Sequence, residues 1–476
     1  MRKVTSYYRP PWICGRHDIT SSSAIIYNVI AGVNFFFEEF SATVAGFILN
    51  TPKSAPIDIF AISDRTGIDI DSLKPFLDEL SRYGIVSESP ITGRILEDYR
   101  SQTFADRCSN NVTGRLDKSP DFYLNAAEKG YADRTGHKVI TALIELTYRC
   151  SAGCIHCYNP GRSDNGMKTH PDELTLEDYK DLIDQLYDEG AIRICLTGGD
   201  PFSRNDIWDI IEHIHNKGIA FEIYTNGIAL RGNENKLADY FPCDVGISIY
   251  SDRPEIHDAV TRVRGSFEKS TGALDSLARL GVPLAVKCCV MKTNFDSYQG
   301  VAGIAAKAGA VLQLETSIFD SLDGNRDVST FLRLDPEQMA ATLKDKNNPL
   351  YIGPEVADWG RFPKNPDDIG CRAGIQTICI RPDGRLSPCC SFNADIGDIR
   401  KAPLKEILND SPFLKQWKEL RLSIYEDCGK KDYCEFCKLC PGLNYNEHGT
   451  PVKAAENNCY VAKIRFDLYK RLNNLN

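Results

Sequence analysis

The period of the hydrophobic positions changes along the chain, and the changes divide it. From Val139 to about Ile318, short apolar runs alternate with longer segments whose apolar residues recur every three or four positions. The short runs predict strands at Val139–Leu146, Ile192–Leu196, Ala220–Tyr224, Val245–Tyr250, Leu284–Met291 and Val311–Glu315. The longer segments predict helices at Leu174–Glu189, Asp206–Asn216, Glu234–Tyr240, Phe267–Leu280 and Asp296–Ala308. One strand followed by one helix, six times, implies parallel strands with right-handed crossovers and an α/β class. Binding sites in such sheets lie at the carboxyl ends of the strands.

The first 115 residues carry a different pattern. Ala24 to Phe37 predicts two strands around a turn at Ala31-Gly32, and Ser41 to Leu49 a helix ended near Thr51-Pro52. A second helix is expected at Ile57–Thr66. A third is expected after Asp71, with Leu73, Phe76, Leu77 and Leu80 on one face and a strand at Gly84-Ile85-Val86 beyond it. This makes a small winged-helix-like unit. Residues 116–137 are polar and aperiodic and read as a linker, residues 326–370 as a connecting segment, and residues 371–476 as a cysteine-rich tail.

Composition narrows the class without naming a chemistry. The 476 residues suffice for about three domains, and 42% hydrophobic with 25% charged residues is ordinary for a folded protein. A net charge of −9 disfavours nucleic acid as a partner. No signal peptide and no run of roughly 20 apolar residues is present. The reading is therefore a cytoplasmic protein without a membrane partner, in a compartment where its eighteen cysteines stay reduced. Eleven of them gather in two clusters or their edges, which argues for metal. Cys14, Cys108, Cys195, Cys243, Cys288 and Cys289 read as small buried apolar residues.

The first cluster is Cys150, Cys154 and Cys157, spaced C-x3-C-x2-C on the loop after the first strand. Thiolate-rich sites favour iron–sulfur clusters or zinc. His156 stands too close to its cysteine neighbours to serve as a regularly spaced ligand. The other strand ends add Gly198-Gly199-Asp200, Thr225-Asn226-Gly227 and Ser248-Ile249-Tyr250-Ser251. Glycines permit close backbone approach, a carboxylate can accept from an amine, and hydroxyls suit a ribose. Each alone is an ordinary turn; together they line one edge of one sheet.

With Tyr158 after the third cysteine, and with "GGDP", "YTNG", "ISIYS" and "KCCVMKTN" in order, the chain resembles radical S-adenosylmethionine (SAM) enzymes over about 180 residues. The resemblance implies a partial (β/α)6 barrel at 138–325. It implies a [4Fe-4S] cluster on Cys150, Cys154 and Cys157, with SAM on its open iron. Gly198, Gly199 and Asp200 would meet the methionine amine, with Asp in place of the commoner Glu. Ser248 would meet the ribose, Tyr158 would lie near the adenine, and Thr225 and Asn226 would complete the cofactor site. Reduction would release a 5′-deoxyadenosyl radical that takes hydrogen from an unactivated carbon, with electrons from a flavodoxin or ferredoxin.

From Cys371 onward the chain resembles SPASM auxiliary-cluster domains, through "CRAG…PDGRLSPC" and "CPG" at Cys440. That likeness implies one further cluster on Cys371, Cys389 and Cys440, with Cys379 or Cys390 as a fourth ligand or the position left open for a substrate thiolate. It implies another on Cys428, Cys434, Cys437 and Cys459. Here the family's C-x2-C-x5-C is reversed to C-x5-C-x2-C, and Lys431 stands where a cysteine is expected, which puts the second auxiliary cluster in question. Two zinc sites are the structural alternative.

Residues 1–115 resemble the peptide-recognition domain of ribosomal-peptide maturases, similar to the chaperone of pyrroloquinoline quinone biosynthesis. A leader peptide would there add a strand to the sheet, using Val33–Phe37, which could equally be core. The combined resemblance implies a maturase of a ribosomally synthesised peptide, like the freyrasin-type and quinohaemoprotein amine dehydrogenase maturases, forming a thioether. Carbon–carbon linkage, epimerisation, a SPASM dehydrogenase of the sulfatase-maturase kind and a non-catalytic scaffold are the competing readings.

Overall fold

The computed structural model describes residues 6–109, 126–137, 139–159, 172–321, 327–353, 365–367, 369–425 and 428–474. Residues 116–125 of the expected linker at 116–137, the loop at 160–171, and residues 326, 354–364 and 368 of the connecting segment lie outside these residues.

The first unit is a three-stranded antiparallel sheet in the order β1 (Ile13–Asp18), β2 (Ser23–Asn28), β3 (Val33–Glu38). Strand β2 is buried along its whole length, as a central strand must be. Strand β1 was not expected: only Ile13 in it is fully buried, so its sequence shows no apolar alternation. Helices α1 (Glu39–Asn50), α2 (Ile59–Thr66), α3 (Ile70–Arg82) and α4 (Gly93–Ser109) follow. The cap of α3 is Asp69 rather than Asp71; its carboxylate accepts from Ser72 N at 2.9 Å. The strand expected at Gly84–Val86 is replaced by an isolated bridge between Tyr8 and Ser87. Part of the expected linker is α5 (Ala126–Thr135), which packs on β2 and β3.

The barrel alternates as expected. Strands β4 (Thr141–Glu145), β5 (Arg193–Thr197), β6 (Ala220–Thr225), β7 (Asp244–Ser248), β8 (Leu284–Cys289) and β9 (Val311–Glu315) pair in parallel in that order. Helices α6 (Leu176–Asp188), α7 (Ile207–Lys217), α8 (Glu234–Asp239), α9 (Pro254–Thr261), α10 (Ser266–Arg279) and α11 (Val301–Lys307) cover the outer face. Helix α6 turns Tyr179, Leu182, Ile183 and Leu186 onto the sheet, each such side chain contributing about 1.5–3 kcal/mol on burial. Alternation along the strands sends Ile144, Ile194 and Ile223 outward to this core. It leaves Leu143 and Cys195 in the barrel lumen, where they meet Cys379.

Beyond α12 (Asp327–Leu332) and α13 (Pro336–Thr342), the tail forms β10 (Thr377–Ile380), β11 (Arg385–Ser387) and β12 (Gly397–Asp398). Helices α14 (Leu404–Asp410), α15 (Pro412–Glu419), α16 (Pro441–His448) and α17 (Glu456–Leu472) complete it. The six-stranded sheet expected for the barrel is one of nine strands, because β10 pairs in parallel with β4 and carries β11 and β12 with it. Among the expected buried cysteines, Cys195 and Cys288 are buried but Cys108 is exposed. No helix among the described residues is long and apolar enough to cross a membrane.

The first unit closes the amino-terminal end of the barrel. Its core includes Ile140, Ile192 and Ala220, which stand just before or at the start of β4, β5 and β6. Gly15 N donates to Gly218 O at 3.0 Å. Arg193 on β5 lies between Glu128 of α5, at 2.9 Å, and Glu222 of β6, at 2.6 Å. Tyr27 of β2 donates to the same Glu128 at 2.6 Å. This ionic chain ties sheet, helix and barrel together.

Candidate functional site

The three cysteines of the first cluster stand on the loop after β4, at the opposite end of the barrel from the first unit. Main-chain bonds from Gly153 N to Thr261 O and from Ile155 N to Val260 O, both 2.9 Å, hold the loop against α9. Cys150 Sγ accepts from Asn226 Nδ2 at 3.3 Å and from Ala152 N at 3.4 Å. Burial first, then Asp200, Cys154 and Cys157, push the Cys150 thiol far up. The Cys150 thiol is therefore a poor thiolate until a cation joins it, which is the donor chemistry of an iron–sulfur site. His156 packs edge-on against Tyr250, its ring centroid 4.8 Å away.

The Gly198-Gly199-Asp200 segment passes directly beneath this loop. A Cβ on Gly199 would stand 2.2 Å from Arg149 O, and one on Gly198 (φ +124°) 2.4 Å from Thr147 O. Gly199 N donates to Thr147 O at 2.6 Å and Asp200 N to Arg149 O at 2.9 Å. Asp200 is wholly buried and turned inward. Its Oδ2 accepts from Thr225 Oγ1 at 2.7 Å and Asn226 N at 2.9 Å, and its Oδ1 from Phe202 N at 3.0 Å. In this geometry Asp200 clamps β5 to β6, and Asn226 carries the clamp on to Cys150. Ser248 ends β7 beside Tyr250.

Tyr158 is half-buried, and its hydroxyl donates to Glu145 Oε1 at 3.0 Å. Glu145, inside the apolar run Val139–Leu146, belongs to no motif; only its place on the lumen face beside Leu143 marks it out.

The carboxyl-terminal thiols form two groups. Cys371, Cys389 and Cys440 line a cavity of about 190 Å³ that also meets Glu315 and Phe319 after β9. The turn at Arg381–Gly384 pairs β10 with β11 and so brings Cys389 back toward Cys371. Cys379 points into the lumen with Cys195, and Cys390 packs beside them. Neither lines that cavity, so the expected fourth ligand is not placed there. Cys428, Cys434, Cys437 and Cys459 line a second, smaller pocket with Tyr433 and Asn458. The reversed spacing is accommodated by a 3-10 turn at Asp432–Phe436, in which Cys437 N donates to Cys434 O at 3.1 Å. Among the described residues, no three or more His, Cys, Asp or Glu side chains close on one point as a lone ion requires; these thiols surround cavities.

Residues 144–299 match the radical SAM superfamily, and residues 371–441 match SPASM, an iron–sulfur cluster-binding domain. The chain is a radical SAM enzyme with a SPASM domain. Its cofactors are a [4Fe-4S] cluster that binds SAM and iron–sulfur in the SPASM domain, and the thiol sets above suit them. The chain is 26% identical to the AdoMet-dependent heme synthase of Nitratidesulfovibrio vulgaris, over 64% of this chain and 88% of that one. It is 27% identical to the subtilosin biosynthesis protein AlbA of Bacillus subtilis, over 64% of this chain and 68% of that one. Streptococcus suis SuiB, solved with its precursor peptide SuiA, shares the fold at a TM-score of 0.52 and 14% identity, covering 95% of this chain and 99% of SuiB.

Gly199→Ala tests the segment beneath the loop. Its added methyl has no room, and forced backbone strain of about 1–3 kcal/mol is expected to weaken SAM binding by about tenfold or more, read by equilibrium dialysis of the reconstituted enzyme.

Proposed function

We propose that the enzyme matures a ribosomally made peptide by joining a cysteine sulfur to a carbon. Cys150, Cys154 and Cys157 would hold the SAM-binding cluster, Cys371, Cys389 and Cys440 a second, and Cys428, Cys434, Cys437 and Cys459 a third. When bound, the reduced cluster and SAM supply a 5′-deoxyadenosyl radical that removes a hydrogen atom from the substrate. The observation that carries the thioether reading is the cavity after β9. It offers three cysteines, with Cys379 and Cys390 turned elsewhere, and leaves a place for a substrate thiolate. The relation to AlbA, a bacteriocin biosynthesis protein, supports a peptide substrate. Flavodoxin or ferredoxin would supply the electron.

The test is incubation of the reconstituted enzyme with SAM, a reductant and short cysteine-containing peptides, followed by mass spectrometry. A product lighter by two hydrogens with no free thiol supports the reading. Unchanged composition with deuterium taken up at an α-carbon from heavy water would replace it with epimerisation.

The first unit would dock the peptide. Strand β3 is the sheet edge away from β1, and beside it lie Phe40, 44% exposed, and Tyr83, 49% exposed. Their rings meet Phe76 and Phe35. The barrel separates this surface from the thiols by five-residue strands, about 17 Å, so docked and modified segments need about five extended residues between them. Tyr83→Ala with Phe40→Ala is expected to weaken peptide binding about tenfold and to leave peptide-independent 5′-deoxyadenosine formation unchanged. Fluorescence anisotropy and chromatography read the two. Deleting the unit is a poorer test, because its core is continuous with Ile140, Ile192 and Ala220.

A further inference from the structure

Joining a thiol to a carbon releases two hydrogens, one as an atom and one as a proton. The radical accounts for the first; the second needs an acceptor inside a closed site. We infer that Glu145 is that proton acceptor. The inference rests on the oxidative reading above.

The carboxylates at this end of the barrel differ in what they already hold. Asp200 accepts three internal hydrogen bonds. Glu173 accepts from Thr147 and Tyr148 and faces Arg149 and Arg204. Glu315 is exposed and accepts from Ser317 N. Asp383 pairs with Arg385. Glu145 is 1% exposed; Oε1 accepts from Tyr158, and the buried Oε2 has no hydrogen-bond partner. A buried acceptor without a donor is costly and persists where function uses it. Placement agrees. Glu145 ends β4 on the lumen face, and Tyr158, next to Cys157, reaches across to it. Cys379 and Cys390 of the SPASM hairpin lie near the same tyrosine. The carboxyl thus sits where the cysteine loop and the auxiliary domain meet.

The groups facing Glu145 are Tyr158 and Tyr148 from the loop segment and Cys379, Arg381 and Asp383 from the hairpin. Burial raises its pKa to about 7, opposed by Arg381 and the Tyr158 bond and assisted by Asp383. At neutral pH it can therefore both take and return a proton.

The step balances. A substrate C–H gives its hydrogen atom to the 5′-deoxyadenosyl radical, and a substrate S–H gives its proton to Glu145 by way of the Tyr158 hydroxyl, whose ring packs edge-on against Phe319 of the cavity. The carbon–sulfur bond forms, and the surplus electron would pass to an oxidised iron–sulfur cluster held by the SPASM thiols.

Glu145→Gln keeps the shape and an oxygen for Tyr158. The expected result is unchanged iron content and melting temperature, continued 5′-deoxyadenosine formation with peptide, and cross-linked product down about 100-fold. Glu145→Asp is expected to recover part of it, and wild-type product formation to rise as pH passes through about 7. An infrared titration of the resting enzyme gives a reading without turnover. A protonated-carboxyl band should fade near pH 7 in the wild type and be missing in Glu145→Gln. Product at the wild-type rate in Glu145→Gln, or a carboxyl ionised in the ordinary carboxylate range, overturns the inference. A wild-type enzyme that exchanges α-hydrogen without losing two hydrogens overturns the oxidative reading instead, and the infrared titration still decides whether Glu145 holds a proton near neutrality.

Discussion

Arg193→Met is expected to lower the stability of the enzyme by about 3–5 kcal/mol, measured as the shift in urea unfolding of the reconstituted protein. The guanidinium is 10% exposed and Glu128 1% exposed. Burial disfavours the charged guanidinium, but Glu128 and Glu222 more than offset it. Removing the cation leaves two carboxylates, and the Tyr27 bond to one of them, in a dry interface between the first unit and the barrel. The cost is that of stranded charge rather than of a lost contact. An exposed pair such as Lys180 with Glu177 gives the contrast. Lys180→Met should change stability by less than about 1 kcal/mol. If Arg193→Met proves equally mild, the chain from Tyr27 to Glu222 does not bind the two units together.

Cys150→Ala is expected to abolish 5′-deoxyadenosine formation and to lower iron by about four of about twelve atoms per chain. Cys150 is chosen because its sulfur receives the Asn226 amide and lies beside Asp200, so its loss disturbs the ends of β5 and β6 together. Cys371→Ala should also lose iron yet retain SAM cleavage, because Cys371 lines the separate cavity after β9. Iron assay and chromatography of the reaction mixture separate the cases. Equal loss of cleavage in both variants would mean that the two thiol groups serve one centre.

The barrel was legible because its strands are nearly continuous apolar runs, as parallel strands covered on the outside must be. All six begin and end within two residues of their expected limits, β4 starting two residues late, where Val139 and Ile140 are already core. Elsewhere tertiary context hid the pattern. Strand β1 buries one residue fully, and α5 turns Glu128 inward to meet Arg193, so neither shows the expected apolar face. The cysteine groups were visible from spacing, but convergence of Cys428, Cys434, Cys437 and Cys459 despite Lys431 depends on a 3-10 turn that spacing does not reveal. The spacing marks Asp200 as a carboxylate that can accept from an amine. The internal bonds it accepts depend on Thr225 and Asn226 at the end of the next strand, which its own segment does not reveal.

The pairing of β10 with β4 also bears on how the molecule is made. Thr141 leaves the ribosome long before its partner Thr377 exists, so the edge of β4 waits unpaired while about half of the 476-residue chain is synthesised. An open strand edge beside an apolar run is a template for association with other chains, and such distant pairing is slow to close. Nascent enzyme therefore passes through a period in which holding chaperones and a low growth temperature favour recovery. Loading of the first metal centre, five residues past that edge, should follow completion of the carboxyl-terminal hairpin.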